Sequence, residues 1–158
     1  MENVTLAIEA YRPEHQPAFE ALNREWIEKY FWMEPIDEAV LQHPDLHILG
    51  KGGEILMAVY EGQVVGAAAL KFVEPGVYEF TKMAVDNKHR GLGLGRALAE
   101  AAREKARSRG ARKIILYSNT ILTTAIELYR KMGFEEIPLD GPYQRSNIKM
   151  QLLLTEES

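Results

Sequence analysis

The sequence predicts a single α/β domain built on a mixed β-sheet, and three observations support this prediction. The first half of the 158-residue chain contains two apolar runs joined by a short turn at Glu61-Gly62, which is a hairpin signature. In the second half, strand patterns alternate with helix patterns. With 46% hydrophobic and 27% charged residues, the composition is that of a globular protein able to bury a core at this length.

The first 85 residues are predicted to form four strands and two helices. Pro13 suits the first turn of a helix whose apolar face carries five residues at helical spacing: Phe19, Leu22, Trp26, Ile27 and Tyr30. A short second helix is expected to end before Pro44, and a glycine-rich turn follows at residues 50–53. The predicted ranges are Val4–Ile8, Ile55–Tyr60, Gln63–Val73 and Val77–Val85 for the strands and Ile36–Gln42 for the short helix.

The remaining residues are predicted to form two helices and three strands. Apolar residues recur at helical spacing after Gly91, and Gly110 is placed to end that helix. The second helix is expected to end at Gly133. The predicted ranges are Gly91–Arg109 and Thr123–Met132 for the helices and Lys113–Ser118, Phe134–Ile137 and Ile148–Leu154 for the strands.

Composition excludes several classes of function. The absence of cysteine excludes a thiol nucleophile, a Cys-ligated zinc and a redox pair. Pro44 separates His43 from His47, so we expect surface histidines and no metal site. The basic residues lack both aromatic interleaving and a net basic charge, which argues against nucleic acid as a partner. The apolar run Val64–Leu70 is too short for a membrane span and no signal peptide is visible, so we expect a cytoplasmic protein.

Charge is distributed unevenly along the chain. Residues 1–80 carry 14 acidic and 5 basic side chains, whereas residues 81–158 carry 9 acidic and 14 basic ones. A basic half suits an anionic ligand and an acidic half suits a cationic one. Uneven scatter of charge over solvated helix faces is the alternative explanation.

The stretch from Glu79 to Arg96 carries the clearest chemical signal. A strand leads into a short basic loop, and three glycines, Gly91, Gly93 and Gly95, then open a helix. Glycines let the backbone approach a ligand and turn its amides toward it, and a helix N-terminus favours a bound anion. Arg90 and Arg96 flank these amides and can pair with phosphate oxygens. The sequence therefore predicts a diphosphate site.

The glycine spacing distinguishes between the known kinds of phosphate loop. A dinucleotide fingerprint requires glycine where this chain has Arg96, and no Gly-Lys-Ser/Thr follows to make a P-loop. The pattern that fits is R-x-x-G-x-G, formed by Arg90, Gly93 and Gly95. A second motif follows: Asn119, and then residues 125–134, which resemble A-x-x-L-Y-x-x-x-G-F.

On these two motifs the chain resembles the GNAT-type N-acetyltransferases from roughly residue 4 to residue 154. The resemblance implies a GNAT-like fold: a central mixed, mostly antiparallel sheet of about seven strands flanked by about four helices, with residues 1–158 as one acetyltransferase domain. It also implies transfer of acetyl from acetyl-CoA to a primary amine of a small molecule or peptide, by direct attack in a ternary complex. A homodimer is a further family-level expectation.

The resemblance also assigns residues to acetyl-CoA. It implies that Met83, Ala84 and Val85 contact the pantetheine arm and that the loop contacts the pyrophosphate. The loop residues are Arg90, Gly91, Leu92, Gly93, Leu94, Gly95 and Arg96. Asn119 is a further expected contact, although many family members place an asparagine where this chain has Leu122.

Acetyl transfer to an amine requires a base and an acid, since the amine must lose a proton and the departing thiolate must gain one. Glu79 is the candidate base; it precedes Met83 by four residues, so alternation predicts that Glu79, Thr81 and Met83 share one face. A solvated or ion-paired glutamate, with an ordered water as base, is the alternative. Tyr129 is the candidate acid by its motif, whereas its apolar stripe suggests a core tyrosine.

Two groups of residues are candidates for the acceptor side. The resemblance places the end of the first helix near the acceptor, where four aromatic residues lie that are equally consistent with core: Trp26, Tyr30, Phe31 and Trp32. Tyr143 and Arg145 precede the last strand, and Arg145 suits an acceptor carrying a carboxylate. A catalytically silent acyl-CoA sensor and a transferase of longer acyl groups are the alternative functions.

Overall fold

The protein is described here from a computed structural model, which covers residues 6–89 and 91–154 and contains seven strands and five α-helices in those ranges. The strands are β1 (Leu6–Ala10), β2 (Glu54–Tyr60), β3 (Gln63–Glu74), β4 (Val77–Val85), β5 (Lys113–Ser118), β6 (Glu135–Ile137) and β7 (Ile148–Leu153). The helices are α1 (Gln16–Tyr30), α2 (Pro35–Gln42), α3 (Pro44–His47), α4 (Leu94–Ser108) and α5 (Thr123–Met132). Within these ranges no helix is both long and apolar enough to span a bilayer.

All seven strands of the described ranges form one mixed sheet in the order β1-β2-β3-β4-β5-β7-β6. Strands β1 to β4 form an antiparallel meander, and β5, β7 and β6 also pair antiparallel. The β4–β5 pair is parallel, and α4 makes the crossover between them. The mixed, mostly antiparallel sheet expected from the sequence is thereby confirmed.

Two hydrophobic cores lie on opposite faces of the sheet because side chains alternate along each strand. On β2, Ile55 and Met57 belong to the core that contains Phe19 and Ile27 of α1. Leu56 and Ala58 of the same strand belong to the other core, which contains Leu94 and Leu98 of α4. The helices α1 and α4 therefore cover different faces, and a ligand site near the sheet can be lined from both.

Most predicted boundaries agree with the structure, and the differences have local causes. The bounds of β4, β5 and α5 are those predicted. The first strand runs from Leu6 to Ala10; its predicted residues Val4 and Thr5 lie outside the described ranges. Pro44 ends α2 as expected. It also begins α3, a four-residue helix that was not predicted, since proline fits the first position of a helix. Helix α4 begins at Leu94 rather than Gly91, because Gly91 and Gly93 adopt left-handed backbone angles.

Strand β4 contains the irregularity that shapes the site. The register of the β3–β4 ladder shifts between Ala67 and Ala69, and Lys82 on β4 has a φ of 55°. Such a bulge inserts one residue and reverses the side-chain alternation beyond it. Phe80 and Met83 consequently pack against the same core, although regular alternation would place them on opposite faces. The prediction that Glu79 and Met83 share one face is therefore wrong.

Strands β4 and β5 pair along only part of their length. Their ladder joins residues Val77–Glu79 to Lys113–Ile115, and both strands then continue without further pairing to each other within the described ranges. The sheet is consequently split at the C-terminal ends of two parallel strands, where open α/β sheets bind ligands.

Candidate active site

A cavity of about 590 Å³ occupies this split in the sheet. It is lined by β4 from Glu79 to Val85, the end of β5, the loop that opens α4, and one face of α5. On the other face of the sheet, the end of α1 and residues 143–146 line it. Because residues of both cores line the cavity, it joins the two faces of the protein. We name the part next to α4 and α5 the cofactor half, and the part next to α1 and residues 143–146 the acceptor half.

The loop that opens α4 has the geometry of an anion cradle. Gly91 and Gly93 have φ values of 84° and 76°, and a Cβ atom at either position would meet open space. Among the described residues no side chain caps the N-terminus of α4, so its first amides are open to a ligand. An anion at this helix end is stabilised by these amides and by the helix dipole.

The structure brings most of the predicted cofactor residues to this cavity. The lining contains nine of them: Met83, Ala84, Val85, Gly91, Gly93, Leu94, Gly95, Arg96 and Asn119. Leu92 is 49% exposed and is absent from the lining, and Arg90 lies outside the described residues. The assignment of these residues to acetyl-CoA remains a prediction, and nine of them line the same cavity.

The side-chain amide of Asn119 is already bonded within the protein. Its nitrogen donates to the carbonyl oxygen of Arg145 at 2.8 Å, and its oxygen accepts from the backbone N–H of Ile121 at 3.0 Å. The first bond ties the end of β5 to the segment before β7, and the second closes a local turn after β5. These bonds fix the Asn119 side chain in the cavity wall, and its amide keeps a second N–H and a second lone pair for the predicted ligand contact.

Glu79 lies at the centre of the split with a buried carboxyl group. The residue is 4% exposed, and its Oε2 accepts a hydrogen bond from the hydroxyl of Tyr143 at 3.0 Å. Burial raises the pKa of the Glu79 carboxyl, and Lys71 and the hydrogen bond from Tyr143 oppose that rise. A carboxyl with a raised pKa in a cavity can accept a proton from a substrate near neutral pH. The Glu79 carboxyl is buried rather than solvated, and it forms no ion pair within the described residues; its role as the base stays a prediction.

Tyr129 both packs in the core and lines the cavity. Its ring makes edge contacts with Phe80 and a tilted contact with Phe134. Burial raises the pKa of its hydroxyl, so the hydroxyl retains its proton at neutral pH. Tyr129 therefore fits both interpretations of the sequence, because it belongs to the core and also lines the cavity.

A buried cluster of four charged side chains supports the acceptor half. The guanidinium of Arg145 donates to both carboxylate oxygens of Asp37, at 2.6 and 2.9 Å, and to Glu34 at 3.1 Å. The Nζ of Lys82 lies 3.2 Å from Asp37. Burial by itself raises the pKa of Asp37. The hydrogen bonds from Arg145 and the charge of Lys82 outweigh that effect and hold this pKa below its usual range. The suggestion that Arg145 receives an acceptor carboxylate is not supported, since carboxylates of the protein already pair with it.

Sequence reasoning missed Glu34, Asp37 and Lys82. A signal was present for Lys82, a lysine inside the apolar strand Val77–Val85. An interior strand lysine is rarely buried unless it is paired, which predicts a carboxylate partner. Nothing in the sequence identified Asp37 as that partner, because it lies on helix α2, far along the chain from strand β4.

The aromatic residues at the end of α1 divide into two groups. Trp26, Tyr30 and Phe31 line the cavity, and their ring centroids lie between 5.4 and 6.3 Å apart. Trp32 is 55% exposed and is absent from the lining. Three of the four predicted residues thus form one wall of the acceptor half, and the prediction for Trp32 is not supported.

Comparison with known proteins agrees with this architecture. The profile of the acetyltransferase (GNAT) family matches residues 8–134. The IAA acetyltransferase of Azospirillum brasilense is 34% identical over 109 residues, which make up 68% of this chain and 67% of that protein. Across curated relatives, the matched region spans from 21% to 67% of the relative's length.

Solved structures share the fold at low sequence identity. A GNAT-family acetyltransferase from Staphylococcus aureus Mu50 superposes with a TM-score of 0.87 at 19% identity, covering 96% of this chain and 100% of that one. The yncA protein from Salmonella typhimurium, solved with acetyl-CoA as its cofactor, gives a TM-score of 0.74 at 21% identity, and the match covers 99% of this chain and 97% of that one. Because the family profile matches most of its length, the chain belongs to the acetyltransferase (GNAT) family.

Proposed function

We propose that this protein transfers an acetyl group from acetyl-CoA to a primary amine by direct attack in a ternary complex. The observation that carries the proposal is one cavity that joins the glycine loop of α4 to the buried carboxyl of Glu79. The loop suits a pyrophosphate, and the carboxyl suits the proton of an amine. Acetyl-CoA in the related yncA structure supports the choice of acyl donor.

In this proposal Glu79 accepts the proton that the amine must lose. A free alkyl amine with a pKa of about 10.4 is almost entirely protonated at neutral pH, so it needs a base on attack. The amine nitrogen bonds to the thioester carbon and the carbon–sulfur bond breaks. Tyr143 holds the Glu79 carboxyl in place through its hydroxyl. No covalent enzyme intermediate is needed, because the acyl group moves directly between the two substrates.

Tyr129 supplies the proton that the departing thiolate gains. The residue lines the cavity on α5, beside the loop end of the cofactor half. Its raised pKa keeps the hydroxyl protonated until the sulfur acquires charge. The base and the acid thus lie on different elements, β4 and α5, with the cavity between them.

The first experiment is thermal unfolding with acetyl-CoA, with NAD as the comparison ligand. Ligand at 100 times its dissociation constant adds about 2.7 kcal/mol of stability, which corresponds to a rise in Tm of roughly 5–10 °C for a chain of this size. We expect that rise with acetyl-CoA alone. No rise at saturating acetyl-CoA would overturn the assignment of the glycine loop and, with it, the proposed function.

A glycine pair in the chain isolates the role of the loop. Gly93 and Gly62 have similar φ values, 76° and 84°, and a Cβ atom meets nothing within 4 Å at either position. Gly93→Ala and Gly62→Ala should therefore cost similar backbone strain, about 1 kcal/mol. We expect the dissociation constant for acetyl-CoA to rise about tenfold, or about 1.4 kcal/mol, only in the first variant. Equal affinity in both variants, measured by calorimetry, would remove the loop from the binding site.

Tyr129→Phe tests the acid and separates an enzyme from a silent acyl-CoA sensor. We expect kcat to fall about 10²-fold, with little change in acetyl-CoA affinity, because only the proton donor is removed. Tyr78→Phe is the matched control. Tyr78 lies on β4 outside the cavity lining, and its hydroxyl accepts a hydrogen bond from Nε of Arg109 at 2.9 Å. The control should lose about 1 kcal/mol of stability and no rate. A Tyr129→Phe enzyme with normal kcat would assign the proton transfer to another group.

A further inference from the structure

The acceptor half of the cavity combines an aromatic wall with an unusual distribution of charge. Trp26, Tyr30 and Phe31 form the wall on α1. The same cavity is also lined by two cations, Lys82 and Arg145, and by one carboxyl group, Glu79. The chemistry of the acceptor depends on which of these charges is free to meet it.

Both cations of the acceptor half are already paired. Arg145 binds Asp37 and Glu34, and Lys82 lies 3.2 Å from Asp37. Neither Asp37 nor Glu34 lines the cavity, so the two pairs are held behind its wall. The ring of Tyr143 also contacts both cations, with Nζ of Lys82 at 5.2 Å and Cζ of Arg145 at 5.4 Å from its centroid. An acceptor that brought a carboxylate here would lose its hydration without gaining a free cation.

Glu79 is the remaining charge. Within the described residues it forms no ion pair, and the Tyr143 hydroxyl that donates to it at 3.0 Å is neutral. Among the side chains that line this half and their ion-pair partners, Lys82 and Arg145 balance Asp37 and Glu34, and Glu79 is the carboxyl left over. Lys71, at the facing position on β3 and outside the lining, is the cation that acts on Glu79 from behind. The charge of an ionised Glu79 matches one ammonium group, which is the form in which an amine arrives. A second positive charge on the acceptor would have no counterpart.

We infer that the acceptor is an aromatic monoamine, a primary amine on an aryl-alkyl body that carries no carboxylate. The aromatic wall provides rings against which an aryl body can pack edge to face. The ammonium meets Glu79, and the absence of a free cation in the described lining disfavours an amino acid. This inference rests on the proposed function, and it names the substrate class for the same site.

The test compares three amines with acetyl-CoA at saturation, following CoA release with a thiol reagent, which meets no protein cysteine. The amines are 2-phenylethylamine, phenylalanine, which adds a carboxylate, and 1,4-diaminobutane, which adds a charge and lacks the ring. We expect kcat/KM for 2-phenylethylamine to exceed that for the other two at least about tenfold. Equal or faster turnover of phenylalanine or the diamine would overturn the inference.

A pair of tryptophan variants locates the preference in the aromatic wall. Trp26→Ala should reduce the ratio of kcat/KM for 2-phenylethylamine over ethylamine about tenfold, whereas Trp26→Phe, which keeps an aromatic ring, should retain most of it. Trp32→Ala, at an exposed position outside the lining, should leave the ratio unchanged. An unchanged ratio in Trp26→Ala would show that the wall does not bind the acceptor body.

Failure of the inference can be distinguished from failure of the proposed function. If acetyl-CoA raises Tm and phenylalanine or 1,4-diaminobutane is acetylated at least as fast as 2-phenylethylamine, the proposed transfer stands and the acceptor class is wrong. If acetyl-CoA produces no rise in Tm, the proposed function itself fails before any acceptor is considered.

Discussion

Glu79→Gln is expected to lower kcat about 10²–10⁴-fold, the range that general-base catalysis contributes, while leaving acetyl-CoA affinity largely unchanged. Glutamine keeps the size of the side chain and an oxygen that can accept from Tyr143, but it cannot take a proton from the amine. The carboxyl is buried, so solvent does not readily replace it as base. Steady-state kinetics with an amine acceptor, together with calorimetric titration of acetyl-CoA, measure the two quantities separately.

The pH profile gives the same prediction a second readout. Burial raises the pKa of Glu79, and the base acts only when deprotonated, so the rate should increase with pH through a limb above the ordinary glutamate value of about 4.3. That limb should be missing in Glu79→Gln. Glu74→Gln, on the neighbouring strand β3 with an exposed side chain, is the control and should keep both rate and limb. A Glu79→Gln enzyme with normal kcat would assign proton removal to an ordered water or another residue.

Asp37→Asn is expected to destabilise the protein by about 3–5 kcal/mol, the cost of breaking a buried ion pair and leaving its partners uncompensated. Asp37 is completely buried and binds Arg145 with both oxygens. It also accepts the backbone N–H of Glu34 at 2.9 Å at the start of α2. Loss of the carboxylate leaves Arg145 and Lys82 as buried cations, with Glu34 as the remaining partner of Arg145 in the cluster. Chemical denaturation measures the change in the free energy of unfolding.

Glu38→Gln on the same helix is the control for this variant. Glu38 pairs with Arg24 at 2.8 Å near the surface, and such pairs contribute about 0–1 kcal/mol. The pKa of Asp37 is lower in the folded protein than in the unfolded chain, where it is about 3.9. Asp37 therefore stabilises the protein above about pH 3.9, and this stabilisation is lost as the pH falls through the pKa of the folded state. The wild type should therefore lose stability in that acidic range more steeply than Asp37→Asn. Similar losses of stability in Asp37→Asn and Glu38→Gln at neutral pH would contradict a supporting role for the cluster.

The two predictions concern different parts of one structure. Glu79 is the proposed base, whereas Asp37 holds Lys82 and Arg145 in the cavity wall. A change at Asp37 should therefore reduce stability strongly and the rate less. A change at Glu79 should reduce rate with little loss of stability.

The sequence by itself determined the elements and the loop. Alternating and helical patterns act over a few residues, so β4, β5 and α5 were predicted with their observed bounds. The left-handed glycines of the loop are likewise a local backbone property that residue type reveals. The motif around Tyr129 belongs to the same class of local signal. From these features the family, the cavity lining of the cofactor half and the candidate acid could be predicted.

Only the tertiary structure decided the acceptor half. Asp37 and Arg145 are 108 residues apart and Glu79 and Tyr143 are 64 apart, so their pairing depends on how the sheet and α2 pack. The bulge at Lys82 also escaped prediction, because a lysine with φ of 55° is held there by surrounding contacts and not by its own preference. That bulge reversed the expected face of Met83 relative to Glu79. Contacts between distant residues are set by packing, and a local pattern cannot specify them.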